Sequence, residues 1–449
     1  MKIKLFGLGI IGLSAVLAYQ GVSQLKQFSS AYIYGYPLLL MHETEKVMLS
    51  GPVAENQLTH NITFPDHNFR NVVRPNVDTL YTIAWLNLAK EPQVLSVPDM
   101  GERYYISPFM DAWTNVFASV GTRTTGNQAG DYILVGPDWQ GELPQDVATI
   151  QSPTNQVWMI QRIQTNGTDD VEAVKTMQKQ FALASLSQWQ QGISTEVYSG
   201  TISKNDPDNN PALTVEQMSA NTFLATLADV LALQASPAED KAAIETLAAL
   251  GVTAGQYSPD AQGWLGQAMA DWAINFTQEK IKQQLAEPRE LDNGWAIFRD
   301  GIGNYGTDYR FRTGVAIIGL GALPPEDALY PNTLVDSTGQ TLDGQHSYKL
   351  HFQAGQVPPV NAFWSVTMYD SEGFLIENPI NRYALGSRDK LQYNADGSLD
   401  ILLQQQRPAS GTDNWLPTPS DNFAVTLRLY APQSSATNGS WPLPQVIKQ

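Results

Sequence analysis

Polar residues gather in short stretches of the sequence whose side chains could hold a ligand. The stretch "VRPNVDTLY", residues 73–81, contains Arg74, Asn76, Asp78 and Tyr81. The stretches "DAWTN" and "TRTTG", residues 111–115 and 122–126, add Asp111, Trp113, Asn115 and Arg123. An aromatic ring can cover the apolar face of a sugar while amides and carboxylates bind its hydroxyl groups. These residue types therefore predict a small polar ligand, carbohydrate-like by preference.

The same residues could form hydrogen bonds with the backbone instead of with a ligand. Pro75 fixes its own φ, and the side chains of Asn76 and Asp78 can accept hydrogen bonds from backbone amides as Asx turns where a strand begins. On this interpretation the stretch starts a strand and binds nothing.

Glycoside hydrolysis is the enzymatic interpretation of these residues. It needs two carboxylates beside the scissile bond, and Asp78 and Asp111 are the catalytic candidates. The sequence has no G-x-S-x-G motif for a serine nucleophile. Whether the chain is an enzyme stays open, and a hydrolase or lyase without a cofactor is the alternative to a binding protein.

The sequence contains few residues that could bind a metal ion and no convincing motif for a cofactor. The chain has no cysteine, which excludes disulfides, Cys-ligated zinc and thiol nucleophiles. Its five histidines are scattered, and His346 and His351 would lie on opposite faces of one strand. The sequence "GIGNYG", residues 301–306, has the spacing G-x-G-x-x-G, but neither a strand before it nor a helical pattern after it is predicted. We therefore predict no metal site and no cofactor.

A second polar cluster lies in "GNYGTDYRFR", residues 303–312. Its candidate ligand-binding residues are Tyr309 and Arg310, and Arg312 follows them. Two arginines could clamp a carboxylate or an anionic sugar, or they could pair with acidic groups of the chain. If this cluster faces the first one, the cleft between two domains is the expected site.

The charge balance and the N-terminus restrict the partners and the compartment. The formal net charge of −17 argues against nucleic acid and against anionic membrane surfaces. Lys2 and Lys4 precede the apolar run Leu5–Leu17, which is shorter than the ~20 residues that span a bilayer. Residues 1–22 are therefore predicted to be a signal peptide of a periplasmic or secreted protein. The alternative is an uncleaved anchor, through which alone the chain would contact a membrane.

The hydrophobic pattern predicts an α+β fold that is mostly β, with two jelly-roll or sandwich-like β domains joined by a helical segment. Residues 23–165 form a β-rich domain with a leading helix, residues 166–300 a helical connector, and residues 301–449 a second β-rich domain. In the connector, helices are predicted to start at Thr214, Ser236 and Ser258. On the last of these helices, a core-facing stripe is expected from Leu265, Met269, Trp272 and Phe276.

Longer stretches resemble two bacterial families of unknown function. "VRPNVDTLYTIAWLNL" at 73–88 and "RYYISPFMDAWTNVFASVGTRTTG" at 103–126 are similar to the family numbered 1254. "GNYGTDYRFRTGVAIIGLGALPPEDALYP" at 303–331 and "FWSVTMYDSEGFLIENPINRYALGSRDKL" at 363–391 resemble its usual companion, numbered 1214. The resemblance implies an exported envelope protein whose jelly-roll-like β-rich halves are bridged by helices, and it implies no reaction.

Three functional interpretations follow. The first is an exported protein that binds a polar, carbohydrate-like ligand in a cleft between two β domains. The second is the hydrolase or lyase that uses Asp78 and Asp111. The third is a structural, homo-oligomeric or interaction protein of the envelope, which would expose a large apolar patch instead of a cleft.

Overall fold

The computed structural model describes residues 2–70, 73–200, 210–286, 291–409 and 411–449. Helices contain 29% of the residues and strands 27%, and the strands form several sheets, so the predicted α+β class is confirmed.

The N-terminal sheets form a sandwich. Its strands are β1 (Thr59–Asn61), β2 (Thr79–Asn87), β3 (Gln93–Val97), β4 (Tyr105–Asp111), β5 (Val116–Gly121), β6 (Gly130–Val135), β7 (Ala148–Gln151), β8 (Gln156–Gln164), β9 (Ala182–Ser185) and β10 (Tyr198–Gly200). One sheet has the order β10-β1-β2-β8-β4-β5 and the other β7-β6-β3-β9. Leu80 and Leu86 of the first sheet share one core with Leu95 and Leu134 of the second. Because β9 and β10 complete these sheets, the sandwich continues past residue 165 into the region predicted as the connector.

The C-terminal strands form a second sandwich. After a short hairpin of β11 (Val252–Thr253) and β12 (Gln256–Tyr257), the strands are β13 (Ala328–Leu329), β14 (Asn332–Thr333), β15 (Tyr348–Phe352), β16 (Trp364–Asp370), β17 (Ala384–Gly386), β18 (Leu399–Gln404), β19 (Trp415–Pro417), β20 (Phe423–Tyr430) and β21 (Gln445–Lys448). One sheet has the order β13-β20-β16-β17, with β14 also on β20, and the other β19-β18-β15-β21. Leu350, Val366 and Leu427 lie in the shared core.

The topology of the two sandwiches differs from the predicted jelly roll in one respect. Parallel pairs join β1 to β10, β6 to β7 and β18 to β19. A jelly roll is built from antiparallel strands. The sandwich part of the prediction therefore agrees with the structure, and the jelly-roll detail is not confirmed.

The helices include one long helix at the N-terminus. They are α1 (Lys2–Leu49), α2 (Val171–Gln178), α3 (Leu186–Trp189), α4 (Pro211–Glu216), α5 (Ala220–Leu233), α6 (Lys241–Ala249), α7 (Gly263–Ala286), α8 (Tyr309–Gly319) and α9 (Ser434–Thr437). Phe28 and Tyr32 of α1 pack with Phe223 of α5 and Ile274 of α7 in a separate core. A Cβ on Gly35 would lie 2.7 Å from Leu227 Cδ2, so glycine permits the close approach of α1 and α5. In the part of the chain that is described, no helix is both long and apolar enough to cross a membrane.

The predicted helix starts are partly wrong. Helix α4 begins at Pro211, because the side chain of Asn210 accepts hydrogen bonds from the amides of Ala212 and Leu213 at 3.0 and 3.2 Å. Thr214 therefore lies inside a helix that ends at Glu216. The start after Ser236 is a 3-10 turn, Ala238–Asp240, which leads into α6. The third start is confirmed as a 3-10 turn after Ser258 that leads into α7.

Helix α8 lies where the sequence pattern was interpreted as a return to strands. Asp308 caps it by accepting a hydrogen bond from the amide of Phe311 at 3.0 Å. Val315 and Ala316 lie on its buried face. The loop "GIGNYG" is thus followed, after two residues, by a helix, which the sequence analysis did not anticipate.

The apolar stripe predicted on α7 is only partly buried. Trp272 and Phe276 are 52% and 39% exposed. The face that packs in the core carries Ala270, Ala273 and Ile274 instead. Small residues decide this orientation, because they let α1 approach α7 closely.

Candidate functional site

The first polar cluster begins with an Asx turn. The Asn76 side-chain oxygen accepts hydrogen bonds from the amides of Asp78 at 2.6 Å and Thr79 at 3.3 Å, where β2 begins. Its side-chain nitrogen donates to the hydroxyl of Tyr430 at 2.8 Å. Asn76 therefore serves both the backbone and the contact with the C-terminal sandwich.

Asp78 lies at the centre of that contact. Its carboxylate is fully buried. It forms an ion pair with Arg388 and accepts a hydrogen bond of 2.6 Å from the hydroxyl of Ser365. Arg388 also donates to the main-chain oxygen of Asp78 at 2.8 Å, and its guanidinium lies 4.2 Å from the centre of the Phe363 ring. Asp78 thus joins the two sandwiches.

Arg74 takes part in the same junction, whereas Tyr81 contacts a neighbouring strand of its own sheet. Arg74 has a φ of 52°, and its amide donates to the main-chain oxygen of Gly373 at 2.7 Å. Its side chain donates to Asn332 at 3.3 Å. The ring of Tyr81 lies 5.2 Å from the guanidinium carbon of Arg162. The structure therefore uses the "RPNVDTLY" stretch to dock the N-terminal sandwich on the C-terminal one.

Replacing Asn76 by alanine should lower the free energy of unfolding by about 1–2 kcal/mol, because the Asx turn and the bond to Tyr430 are both lost. Urea denaturation would measure the change. Asn76→Asp is the matched variant: it keeps the acceptor of the turn and should lose less stability than Asn76→Ala. Equal losses would show that the turn contributes nothing.

The second group of predicted residues forms the turn between β4 and β5. One carboxylate oxygen of Asp111 accepts hydrogen bonds from the amides of Trp113 at 2.9 Å and Asn115 at 2.8 Å. The other accepts from the side-chain nitrogen of Asn115 at 3.0 Å. These bonds hold Thr114 in a left-handed conformation with a φ of 67°.

The environment of Asp111 raises the pKa of its carboxyl group. Burial raises the pKa of the carboxyl group to about 6, although the bonds from Asn115 and Trp113 and the positive charge of Arg312 favour the ionised form. Asp111 can therefore change its protonation state near neutral pH.

The two catalytic candidates lie far apart. The main-chain oxygen of Asp78 accepts a hydrogen bond from the amide of Thr165, just beyond the end of β8. Asp111 is paired with Val157, at the other end of that strand. Eight residues of strand correspond to roughly 26 Å, whereas glycosidase carboxylates are about 5–10 Å apart. The pair cannot flank one glycosidic bond.

In the third group, the two predicted arginines lie in different environments. Arg310 is exposed on α8, and the hydroxyl of Tyr309 donates to Asp240 at 2.8 Å. Arg312 is only 1% exposed, and its guanidinium carbon lies 5.8 Å from the centre of the Trp113 ring. The sequence analysis named Arg312 together with Arg310; recognising the helix would also have shown that Arg312 is the buried one, since it precedes the buried Val315 by three residues.

An open cleft of about 410 Å³ lies between the halves. Residues 116–119 and 123–124 of the N-terminal sandwich line it, together with residues 299–302, 304 and 324–327. Of the predicted site residues, Arg123 lines it, and its guanidinium forms two bonds of 2.6 and 3.0 Å to the buried carboxylate of Asp327. The side chain of Asn115 accepts a hydrogen bond of 3.3 Å from the amide of Tyr305, just behind the cleft wall.

The cleft combines several kinds of polar group. Asn304 offers an amide, Ser119 a hydroxyl, and Asp300 and Glu326 exposed carboxylates. Phe117 is an aromatic ring on the N-terminal wall. Of these residues, only Asn304 belongs to a polar cluster that the sequence analysis singled out. The others were missed because the two walls of the cleft come from segments more than 170 residues apart in the sequence. Among the described residues, no group of three or more His, Asp or Glu is placed to hold a metal ion.

Comparisons with known proteins agree with this two-part architecture. Residues 55–185 match a family described as "Protein of unknown function (DUF1254)", and residues 327–434 match "Protein of unknown function (DUF1214)". The crystal structure of the VPA0106 protein from Vibrio parahaemolyticus is similar over 95% of this chain and 100% of its own, with 25% identity and a TM-score of 0.71. An uncharacterized protein from Burkholderia cenocepacia is 12% identical over 97% of this chain and 95% of its own, with a TM-score of 0.46. None of the curated proteins matches the sequence.

Proposed function

We propose that this chain, which belongs to the paired DUF1254 and DUF1214 families of unknown function, binds a small, polar, carbohydrate-like ligand in the cleft. The observation that carries the proposal is an open cavity of about 410 Å³ lined by both halves of the chain. Its volume falls within the range of about 300–1,000 Å³ that is typical of ligand pockets, and pockets favour the boundary between domains.

The lining suits a sugar better than an apolar molecule. The ring of Phe117 can cover an apolar sugar face, and Asn304 can donate and accept hydrogen bonds with neighbouring hydroxyl groups. Arg123 is held by Asp327, and Arg299 by an ion pair of 2.6 Å with Asp292. Side chains that are already fixed lose little entropy when a ligand binds.

The charges favour a neutral ligand. Both arginines have a carboxylate partner within the protein, so neither brings an uncompensated positive charge. Asp300 and Glu326 are exposed at the rim, and they would repel an acidic sugar. The apolar N-terminal run after Lys2 and Lys4 supports a location in the cell envelope, where saccharides are abundant.

A saccharide that binds should raise the melting temperature, and Asn304→Ala should weaken its binding about fivefold, because one hydrogen bond contributes about 1 kcal/mol. A thermal-shift screen of neutral mono- and oligosaccharides would identify the ligand, and isothermal titration calorimetry would measure the dissociation constant.

Asn422→Ala is the matched control, since Asn422 is an exposed asparagine outside the cleft. It should bind the ligand as the wild type does. A ligand that both variants bind equally would place the site elsewhere. Release of reducing ends from an oligosaccharide would show a hydrolase instead of a binding protein.

A further inference from the structure

The junction between the two sandwiches contains buried arginines that have no acidic partner. Arg162 of β8 and Arg428 of β20 are only 6% and 4% exposed. In the part of the chain that the structure describes, neither of them forms an ion pair, whereas Arg388 in the same junction pairs with Asp78. Because a buried charge is costly unless it is paired, these two cations favour an anionic partner.

Neutral oxygens bind both guanidinium groups only in part. Arg162 donates to the main-chain oxygens of Ile160 at 3.0 Å and Gly321 at 2.9 Å. Arg428 donates to the main-chain oxygen of Arg74 at 2.9 Å. These bonds use some of the N–H groups of each guanidinium and leave its positive charge uncompensated. Both arginines therefore keep donors for a further group.

Tyrosines from both sandwiches gather beside these arginines. Arg162 is paired with Ile106 in the N-terminal sheet, and Tyr104 precedes Ile106 by two residues on the same face. Tyr330 and Tyr430 of the C-terminal sandwich pack in one apolar cluster with Tyr104 and Ile106. The arginine–tyrosine cluster of this junction consists of Arg162, Arg428, Tyr104, Tyr330 and Tyr430.

The hydroxyl groups of these tyrosines lack acceptors. The hydroxyl of Tyr104 is buried and has no hydrogen-bond partner among the described residues. Within the same residues, the hydroxyl of Tyr330 forms no hydrogen bond either. The hydroxyl of Tyr430 accepts a bond of 2.8 Å from Asn76, and no described residue accepts its own proton. The cluster thus has more donors than acceptors.

Tyr330 links the cluster to solvent. It is only half-buried, and so is Tyr81, whose ring centre lies 5.2 Å from the guanidinium carbon of Arg162. Burial raises the pKa of Tyr330 to about 12, although the positive charges of Arg162 and Arg428 act in the opposite direction. Its hydroxyl therefore stays protonated at neutral pH and can donate a hydrogen bond. The two half-buried rings mark the side from which a small molecule can approach.

We propose that the arginine–tyrosine cluster binds the carboxylate of a small organic acid at the junction of the two sandwiches. A carboxylate accepts hydrogen bonds and donates none, so it complements a group of donors without acceptors. Its charge compensates the buried guanidinium groups. The rings of Phe363 and Tyr430 stack with their centres 4.2 Å apart and offer an apolar wall to the rest of the acid. Inorganic phosphate has no apolar part and fits this wall less well.

Sodium acetate and sodium benzoate should raise the melting temperature of the full chain more than sodium chloride does at the same ionic strength. Isothermal titration calorimetry with benzoate would give the dissociation constant. Tyr330→Phe should weaken benzoate binding about fivefold, because it removes one hydrogen bond to the ligand and none between described residues. Arg162→Gln should weaken it about tenfold or more.

Tyr393→Phe and Arg310→Gln are the matched controls, since both residues are exposed and lie outside the cluster. Both variants should bind benzoate as the wild type does. Arg162→Gln also removes the bonds to the main chain. If that variant does not fold, Tyr330→Phe decides the question.

The proposal is overturned if chloride raises the melting temperature as much as the carboxylates do, if only phosphate raises it, or if Tyr330→Phe binds benzoate as the wild type does. It is also overturned if Asn304→Ala weakens benzoate binding as much as Tyr330→Phe does, because the acid would then lie in the cleft. The saccharide proposal is tested separately, since a sugar bound in the cleft should not respond to Tyr330→Phe.

Discussion

Asp78→Ala is expected to lower the free energy of unfolding by about 3–5 kcal/mol, because it leaves the buried Arg388 without its partner. The side chain of Asp78 is 0% exposed and that of Arg388 14% exposed. The substitution also removes the acceptor of the Ser365 hydroxyl. Urea denaturation followed by far-UV circular dichroism would measure the loss.

An exposed ion pair provides the control. Lys241 and Glu245 are 84% and 69% exposed and 4.0 Å apart, so Glu245→Ala should cost about 0.5 kcal/mol or less. In the double variant Asp78→Ala, Arg388→Met, the uncompensated charge of Arg388 is removed as well, and part of the lost stability should return. If Asp78→Ala costs no more than Glu245→Ala, the contact between the sandwiches does not depend on this ion pair.

The sequence predicted the strands well because their signals are local. The pattern of "DTLYTIAWLNL" required a strand with two apolar faces, and β2 is buried over most of its length. Turn residues separate such runs at short intervals, so the strands of both sandwiches could be located without knowing their partners. Helix α8 was missed because Gly314 interrupts its apolar residues and the helix already ends at Gly319, so the helical pattern is short and irregular.

The orientation of α7 shows a different limit. Its tryptophans and its small residues both recur with the period of a helix, and either row could face the core. The outcome depends on α1, whose Gly21 and Ser29 approach the small residues closely. No pattern within α7 itself contains that information.

The candidate site was predictable only in its residue types. Asn76 and Asp78 were recognised as unusual, and the Asx turn at Asn76 agrees with one of the two interpretations. The partners of Asp78 are 287 and 310 residues away in the chain, however, and such contacts leave no local pattern. For the same reason, the cleft between the sandwiches was expected, but most of its lining was not.

Asp111 should make the protein less stable as the pH rises from about 4 to about 6. Its pKa is about 6 in the folded chain and about 3.9 in an unfolded one, so the folded state holds an extra proton between these values. Below about pH 4 both states are protonated and the contribution is complete; above about pH 6 both are ionised and it is lost. The change corresponds to up to about 3 kcal/mol.

Asp111→Asn should remove this part of the pH dependence, because asparagine does not ionise while its oxygen can still accept the amides of Trp113 and Asn115. Urea denaturation at pH 4, 5, 6 and 7 would measure it as the difference between variant and wild type. Asp400→Asn is the control of opposite sign: burial would raise the pKa of Asp400, but the hydrogen bonds from His351 and Asn394 and the positive charge of Lys349 together outweigh it and hold the pKa below its usual value. Asp400→Asn should therefore lose more stability at pH 7 than at pH 4. If the stability of Asp111→Asn follows the wild-type pH profile, the prediction is wrong. Arg312 and the turn amides would then stabilise the ionised carboxylate in the folded chain as well as water does in the unfolded chain.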